Sequence, residues 1–175
     1  MTTPPAGVTI DVLTPSAPGA FSDDDLDPLA PLWRSLMDRH REVWDEIPLR
    51  SHEESWARRR AQYRDWLGRP GSFALVARRG DRPVGYAFVA VEEGDETYAT
   101  GERRADIHTL AVLPGERGRG LGAALMEELE RRLLADGVTD VFVGSMHGND
   151  AAQRFYERRG YRPFVHLSYR KLGGG

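Results

Sequence analysis

Between Leu110 and Gly122 the chain reads Leu-Ala-Val-Leu-Pro-Gly-Glu-Arg-Gly-Arg-Gly-Leu-Gly, which contains Arg-x-x-Gly-x-Gly beginning at Arg117. An apolar run precedes this loop and an amphipathic helical pattern follows it, so it leads from a strand into a helix start. That arrangement makes an anion site. The first N–H groups of a helix have no partner inside the helix, and the helix dipole adds partial positive charge at the same end. Gly118, Gly120 and Gly122 omit the side chains that would keep a pyrophosphate from the backbone. Arg117 and Arg119 add fixed positive charge. A turn that merely joins a strand to a helix would explain a lone Gly-x-Gly; it explains less well a strand, loop and helix in this order. No Gly-Lys-Ser/Thr follows, so the loop is not a P-loop, and no acidic residue about 20 positions on closes a second strand as a dinucleotide fingerprint requires.

Other chemistries are poorly supplied. The chain has no cysteine, which excludes disulfides, Cys-based zinc sites and a Cys nucleophile. His40, His52, His108, His147 and His166 show no i,i+4 pairing, so no metal site is expected. Gly144-Ser145-Met146 lacks the Gly-x-Ser-x-Gly elbow of a serine hydrolase. The net charge of −3 gives no general reason for a nucleic-acid or anionic-membrane partner. Met1–Gly7 lacks the form of a signal peptide and no apolar run approaches a membrane span, so a cytoplasmic location with no membrane partner is expected.

The elements that must position the loop follow from periodicity. With 175 residues, 40% hydrophobic and 29% charged, the chain suits a single domain, 1–175, with loose tails at 1–7 and 172–175. Val8–Leu13 reads as a strand, and Asp27-Pro28 as the N-cap and first position of a helix. Ser51 with Glu54 is a capping-box pattern that opens a second helix to about Leu67. Ser72–Arg78 and Pro83–Glu93 form a hairpin about Gly80-Asp81, and Ala105–Leu113 is the next strand. The helix after the glycine loop carries Leu121, Leu125, Met126, Leu129 and Leu133 on one face. Val138–Ser145 reads as a strand, Asn149 opens a helix that Gly160 stops, and Tyr161–Lys171 reads as a last strand. This order implies a mixed α/β sheet with helices on both faces.

Two segments resemble the GNAT acyltransferase superfamily. LAVLPGERGRGLGAALMEEL at 110–129 matches that family's CoA-binding signature, and NDAAQRFYERRGYR at 149–162 matches its Asn-x-x-Ala-x-x-Phe-Tyr-x-x-x-Gly-Phe/Tyr pattern. The resemblance implies a mostly antiparallel central sheet of about six to seven strands, with a splayed parallel pair at the cofactor site. It implies acetyl-CoA as co-substrate, no metal, and transfer of an acetyl group to an amine of a small molecule or peptide. Residues Arg117, Gly118, Arg119, Gly120, Leu121 and Gly122 would hold the CoA pyrophosphate. The strand edge at Leu110, Ala111 and Val112 would pair with the pantetheine arm, and the Leu110 N–H would bind the thioester carbonyl. Tyr156 would protonate the departing thiolate, and Asn149 would contact the arm or cap its helix. A phenol of pKa about 10 and a thiol of about 8.5 make that transfer mildly uphill in water, and burial of the thiolate narrows the gap. Phe155-Tyr156 also suits an ordinary pair of core aromatics.

The attacking amine must be neutral, so a proton acceptor is needed. Asp106 and His108 are the candidates on the central strand, and strict alternation puts both on the side of Leu110. In the histone-acetyltransferase branch of the family a glutamate stands fourteen residues before the first glycine of Gly-x-Gly; Asp106 holds that position here, with a shorter reach. Asp106 could instead pair with Arg103 or Arg104, and His108 could be a wall residue. Arg58, Arg59, Arg60 and Arg64 make one helix basic, while Glu92, Glu93, Asp95 and Glu96 could draw in a cationic amine. Two alternatives stay open: a non-catalytic acyl-CoA-binding regulatory module, and an acetyltransferase acting on charged tRNA. A homodimer also stays open.

Overall fold

The centre of the sheet is a hairpin set by turn chemistry. Phe73–Arg79 (β2) and Arg82–Glu93 (β3) turn at Gly80, whose φ of +57° lies in the left-handed region that L side chains avoid. The computed structural model describes residues 3–17 and 19–172; the tails expected at 1–7 and 172–175 lie partly outside these. Val8–Val12 (β1) pairs antiparallel with β2, and β3 pairs antiparallel with Arg103–Val112 (β4). Asp140–Val143 (β5) joins β4 in parallel, giving the order β1-β2-β3-β4-β5. The long helix Leu121–Ala135 (α4) makes the crossover that a parallel neighbour requires.

Helices cover both faces. On one, Leu121, Leu125, Met126, Leu129 and Leu133 of α4 pack on Leu75, Ala87, Val89 and Ile107. Burial of each such side chain contributes roughly 1.5–3 kcal/mol. Asp150–Glu157 (α5) lays Phe155 and Tyr156 against the same cluster. On the opposite face Ala30–Val43 (α2) and His52–Leu67 (α3) bury Leu32, Trp33, Met37, Trp56 and Tyr63 against Val76, Tyr86 and Phe88.

Three expectations need correction. Asp27 is not an N-cap: Ser22 caps a single turn, Asp23–Leu26 (α1), in a reciprocal capping box with Asp25. Asp27–Leu29 is then a 3-10 turn that runs into α2, and the Asp27 carboxylate reaches sideways to Trp56 Nε1 (2.9 Å) and Arg60 (2.5 Å). Second, the sheet has five strands among the described residues, not six to seven. Tyr161–Lys171 forms no ladder. Pro163 lacks an N–H to give, and Phe164 is held by rings instead, edge-on to Tyr98 (5.1 Å) and Phe142 (5.4 Å).

The third correction concerns phase. Opposite β3, Thr109 faces Phe88 and Ile107 faces Val89, so His108 is an extra residue in β4. A bulge of this kind reverses the alternation of side chains. Ile107 and Leu110 therefore both belong to the α4 face, while Thr109 and Ala111 turn to the α3 face. Asp106 and His108 do not share the side of Leu110, as strict alternation required; His108 stacks on Trp66 of α3.

Candidate active site

The glycine loop opens with a 3-10 turn at Pro114–Glu116 and then passes through Gly118 and Gly120 at φ +73° and +84°. No heavy atom lies within 4 Å of where a Cβ would stand at either glycine. Gly120 is the N-cap of α4 and offers no side chain; the first helical bond runs from Ala124 N to Gly120 O (2.9 Å). The N–H groups of Leu121, Gly122 and Ala123 are thus left to whatever enters from outside. Arg117 ties the loop to the strand, its Nε donating to the Val112 carbonyl (2.9 Å). Arg79 clamps Glu116 with two bonds of 3.0 and 2.8 Å and holds its carboxyl below the usual range.

This loop floors a cavity of about 420 Å³. Leu110, Ala111 and Val112 form one wall, Asn149, Ala151 and Phe155 another, and Leu36 and Arg39 of α2 a third. The strands diverge beside it. β5 pairs with β4 only from Arg104 to Ile107, and beyond that no strand among the described residues lies along this edge. Asn149 caps α5, its side chain accepting from Ala152 N (3.4 Å). Tyr156 packs edge-on to Phe155 (5.3 Å) and Tyr161 (5.8 Å), and burial pushes its pKa up to about 12.

The opposite side of β4 is made of side chains. His108 lies 3.8 Å from Trp66, ring on ring. Burial and then the Arg59 charge lower its pKa, and its buried Nε2 has no hydrogen-bond partner among the described residues. Asp106 accepts from Arg104 (2.8 Å); burial raises its pKa and Arg104 opposes that rise. Glu92 is bound by Arg69 (3.0 Å) and Arg104 (3.2 Å). Asp95 accepts from the N–H groups of Thr97 and Tyr98 (2.8 Å each). Of the expected acidic mouth, Glu92 is thus neutralised by arginines, while Asp95 keeps its charge. Below it, Tyr63 OH joins Thr109 Oγ1 (2.5 Å) and Tyr86 OH (3.1 Å) in a buried hydroxyl cluster. Among the described residues no group of three or more His, Cys, Asp or Glu is placed to hold a metal ion. No helix among them is long and apolar enough to cross a membrane.

The family model described as "Acetyltransferase (GNAT) family" matches residues 32–161. The chain belongs to the GNAT family. It is 33% identical over 102 residues to an uncharacterized N-acetyltransferase of Mycobacterium tuberculosis, covering 58% of this chain and 60% of that protein. It is 31% identical over 155 residues to a mycothiol acetyltransferase of Frankia alni, covering 87% of this chain and 42% of that protein. The chain thus spans less than two thirds of the length of these curated relatives. A GCN5-related N-acetyltransferase from Ralstonia eutropha has the same fold, with a TM-score of 0.70 at 22% identity, over 95% of this chain and 100% of that one. So does an aminoglycoside acetyltransferase from a soil metagenomic sample, solved with sisomicin, with a TM-score of 0.63 at 20% identity, over 95% of this chain and 97% of that one.

In this GNAT chain nine of the residues expected at the cofactor line one cavity, from Leu110 to Gly122 and at Asn149. Arg119 is not on the cavity wall; its side chain is 62% exposed and lies 3.9 Å from Glu116, which is. Phe155 rather than Tyr156 is on the cavity wall. Leu36 and Arg39 escaped sequence reasoning because they sit in α2, more than seventy residues before the loop they face, with no local motif to mark them.

Proposed function

We propose that residues 1–175 act as one acetyltransferase domain that moves the acetyl group of acetyl-CoA to a primary amine of a small molecule or peptide, by direct attack with both bound. One observation carries this reading: a single cavity is bounded by two stretches of unpaired backbone, the first N–H groups of α4 and the β4 edge beyond Ile107. Acetyl-CoA fits both. Its phosphates suit the open positions at Gly118 and Gly120, where any side chain would intrude, and its pantetheine amides suit the strand edge at Leu110–Val112. When bound it supplies an acyl group activated as a thioester.

The Leu110 N–H would donate to the oxygen on which charge develops. Tyr156, with a pKa of about 12, keeps its proton at neutral pH and is available as the acid for the leaving thiolate. His108 suits the proton acceptor better than Asp106. Its lowered pKa leaves it neutral with a free ring nitrogen, whereas Arg104 occupies Asp106. A non-catalytic acyl-CoA-binding module is the second reading, favoured by the position of Phe155, not Tyr156, on the cavity wall. The test is to follow free thiol from acetyl-CoA across a panel of amines and peptides, alongside a thermal-shift titration with acetyl-CoA. Transfer requires both signals. A thermal shift without thiol release from any acceptor would support the module, and neither signal would reject both.

A further inference from the structure

The basic run of α3 divides once its partners are seen. Arg58 pairs with Glu54 (3.3 Å), Arg60 with Asp23 (2.9 Å) and Asp27 (2.5 Å), and Arg64 with Asp23 (2.7 Å). Arg59 has neither a carboxylate nor a hydrogen-bond acceptor among the described residues. It lies against aromatic faces instead, its guanidinium carbon 4.5 Å from the Trp33 ring centre, 5.7 Å from Tyr63 and 5.8 Å from Trp66. Such stacking fixes the plane of the guanidinium but leaves its N–H edge unused. That edge belongs to a cleft of about 470 Å³ between α2 and α3, whose two other arginines, Arg50 and Arg58, share Glu54.

Arg59 links the cleft to β4 through one ring. Trp66, against which Arg59 lies, is the ring that stacks on His108, and the Arg59 charge is the strongest influence on that histidine after burial itself. The acidic groups nearby are engaged elsewhere: Glu92 by Arg69 and Arg104, Asp106 by Arg104. Among the described residues Arg59 is thus a cation beside Trp66 that no carboxylate engages.

From this, and resting on the acetyl-transfer reading above, we infer that the acceptor amine also carries a carboxylate, which Arg59 binds through its free fork. A planar guanidinium edge matches a carboxylate in a two-point contact. A polycationic amine would set its own charges against Arg59. A phosphate-type dianion is the competing ligand, because Arg50 and Arg58 share the one Glu54 carboxylate; it would have to reach past that bridge, whereas a carboxylate needs the Arg59 fork alone.

The probes are β-alanine, 4-aminobutanoate and glycylglycine, each against its primary amide, with 2-aminoethylphosphonate as the dianion. Binding is read from tryptophan fluorescence, since Trp33 and Trp66 flank the cation, and transfer from thiol release. A carboxylate should bind about tenfold or more tightly than its amide, the scale of a charge-assisted hydrogen bond. Arg59→Gln should erase the difference and Arg59→Lys should keep part of it, both retaining the thermal shift with acetyl-CoA as proof of folding. Equal or absent binding of carboxylates and amides, a preference that survives Arg59→Gln, or preference for the phosphonate would overturn the inference. Carboxylate binding without thiol release would instead count against transfer and leave the Arg59 assignment standing.

Discussion

On the α4 side of β4 the polar groups that face the cavity are mainly backbone: the N–H groups at the start of α4, two left-handed glycines and an open strand edge. On the α3 side they are side chains, with His108 on Trp66, Asp106 on Arg104 and Arg59 among aromatic rings. The first side can take the same ligand whatever surrounds it, because backbone geometry is fixed by a short local sequence. The second can be re-specified by changing one residue. On the proposed reading a constant donor and a variable acceptor would use that division; the His108 bulge makes it by turning the two halves of β4 to different faces.

The largest expected effect tests whether the two sides meet at one reaction. Tyr156→Phe keeps the ring and its contacts with Phe155 and Tyr161 but removes the proton. Turnover should fall on the order of 10²–10⁴-fold with acetyl-CoA affinity nearly intact, as steady-state kinetics would show. Wild-type turnover in this variant would reduce Tyr156 to a core aromatic and leave the two sides without a shared acid.

Gly120→Glu attacks the backbone side alone. Saturating acetyl-CoA should stabilise the wild type by about 2.7 kcal/mol at a hundredfold excess over its dissociation constant, and the variant hardly at all. Gly120 has φ +84°, so Gly120→Asn, which tolerates that region and adds no charge, is the control for backbone strain and should lose less of the shift than Gly120→Glu. A full shift in folded Gly120→Glu would remove the phosphates from this loop.

On the side-chain face, Tyr63→Phe takes the shared partner from the Thr109 and Tyr86 hydroxyls. Urea denaturation should show a loss of about 1–3 kcal/mol with the acetyl-CoA shift unchanged in size, which separates the two faces energetically. An unaltered midpoint would mean that the cluster adds nothing to stability.

The subtlest effect lies in pH. His108 has a folded pKa below its ordinary 6.5, so its neutral form is favoured by the fold. Its contribution to stability is present above pH 6.5 and declines as pH falls through the folded value. The acid limb of kcat/KM should have its midpoint below 6.5 if His108 accepts the amine proton. His108→Asn should abolish that limb and Asp106→Asn should leave it in place. The reverse pattern would return the base to Asp106 and shift the chemistry along the strand.

The sequence by itself determined the parts built from neighbouring residues. Arg117–Gly122 announces its conformation because glycine enters the left-handed turns at 118 and 120 without steric cost, and α4 announces its buried face through Leu121, Leu125, Met126, Leu129 and Leu133. Ser51 likewise caps α3 as expected, accepting from Glu54 N (3.1 Å). Tertiary structure decided the rest. Whether His108 bulges depends on the register with β3, and one extra residue turns every later side chain of β4 to the other face. Whether Tyr161–Lys171 joins the sheet depends on a neighbouring edge, and there rings at Phe142 and Tyr98 hold Phe164 in place of a ladder. Which arginine of α3 stays unpaired depends on Asp23 and Asp27, some thirty to forty residues upstream and brought alongside only by folding. Backbone conformation is set within a few residues of itself, whereas the partner of a charge or a strand edge is chosen by whatever part of the chain arrives beside it.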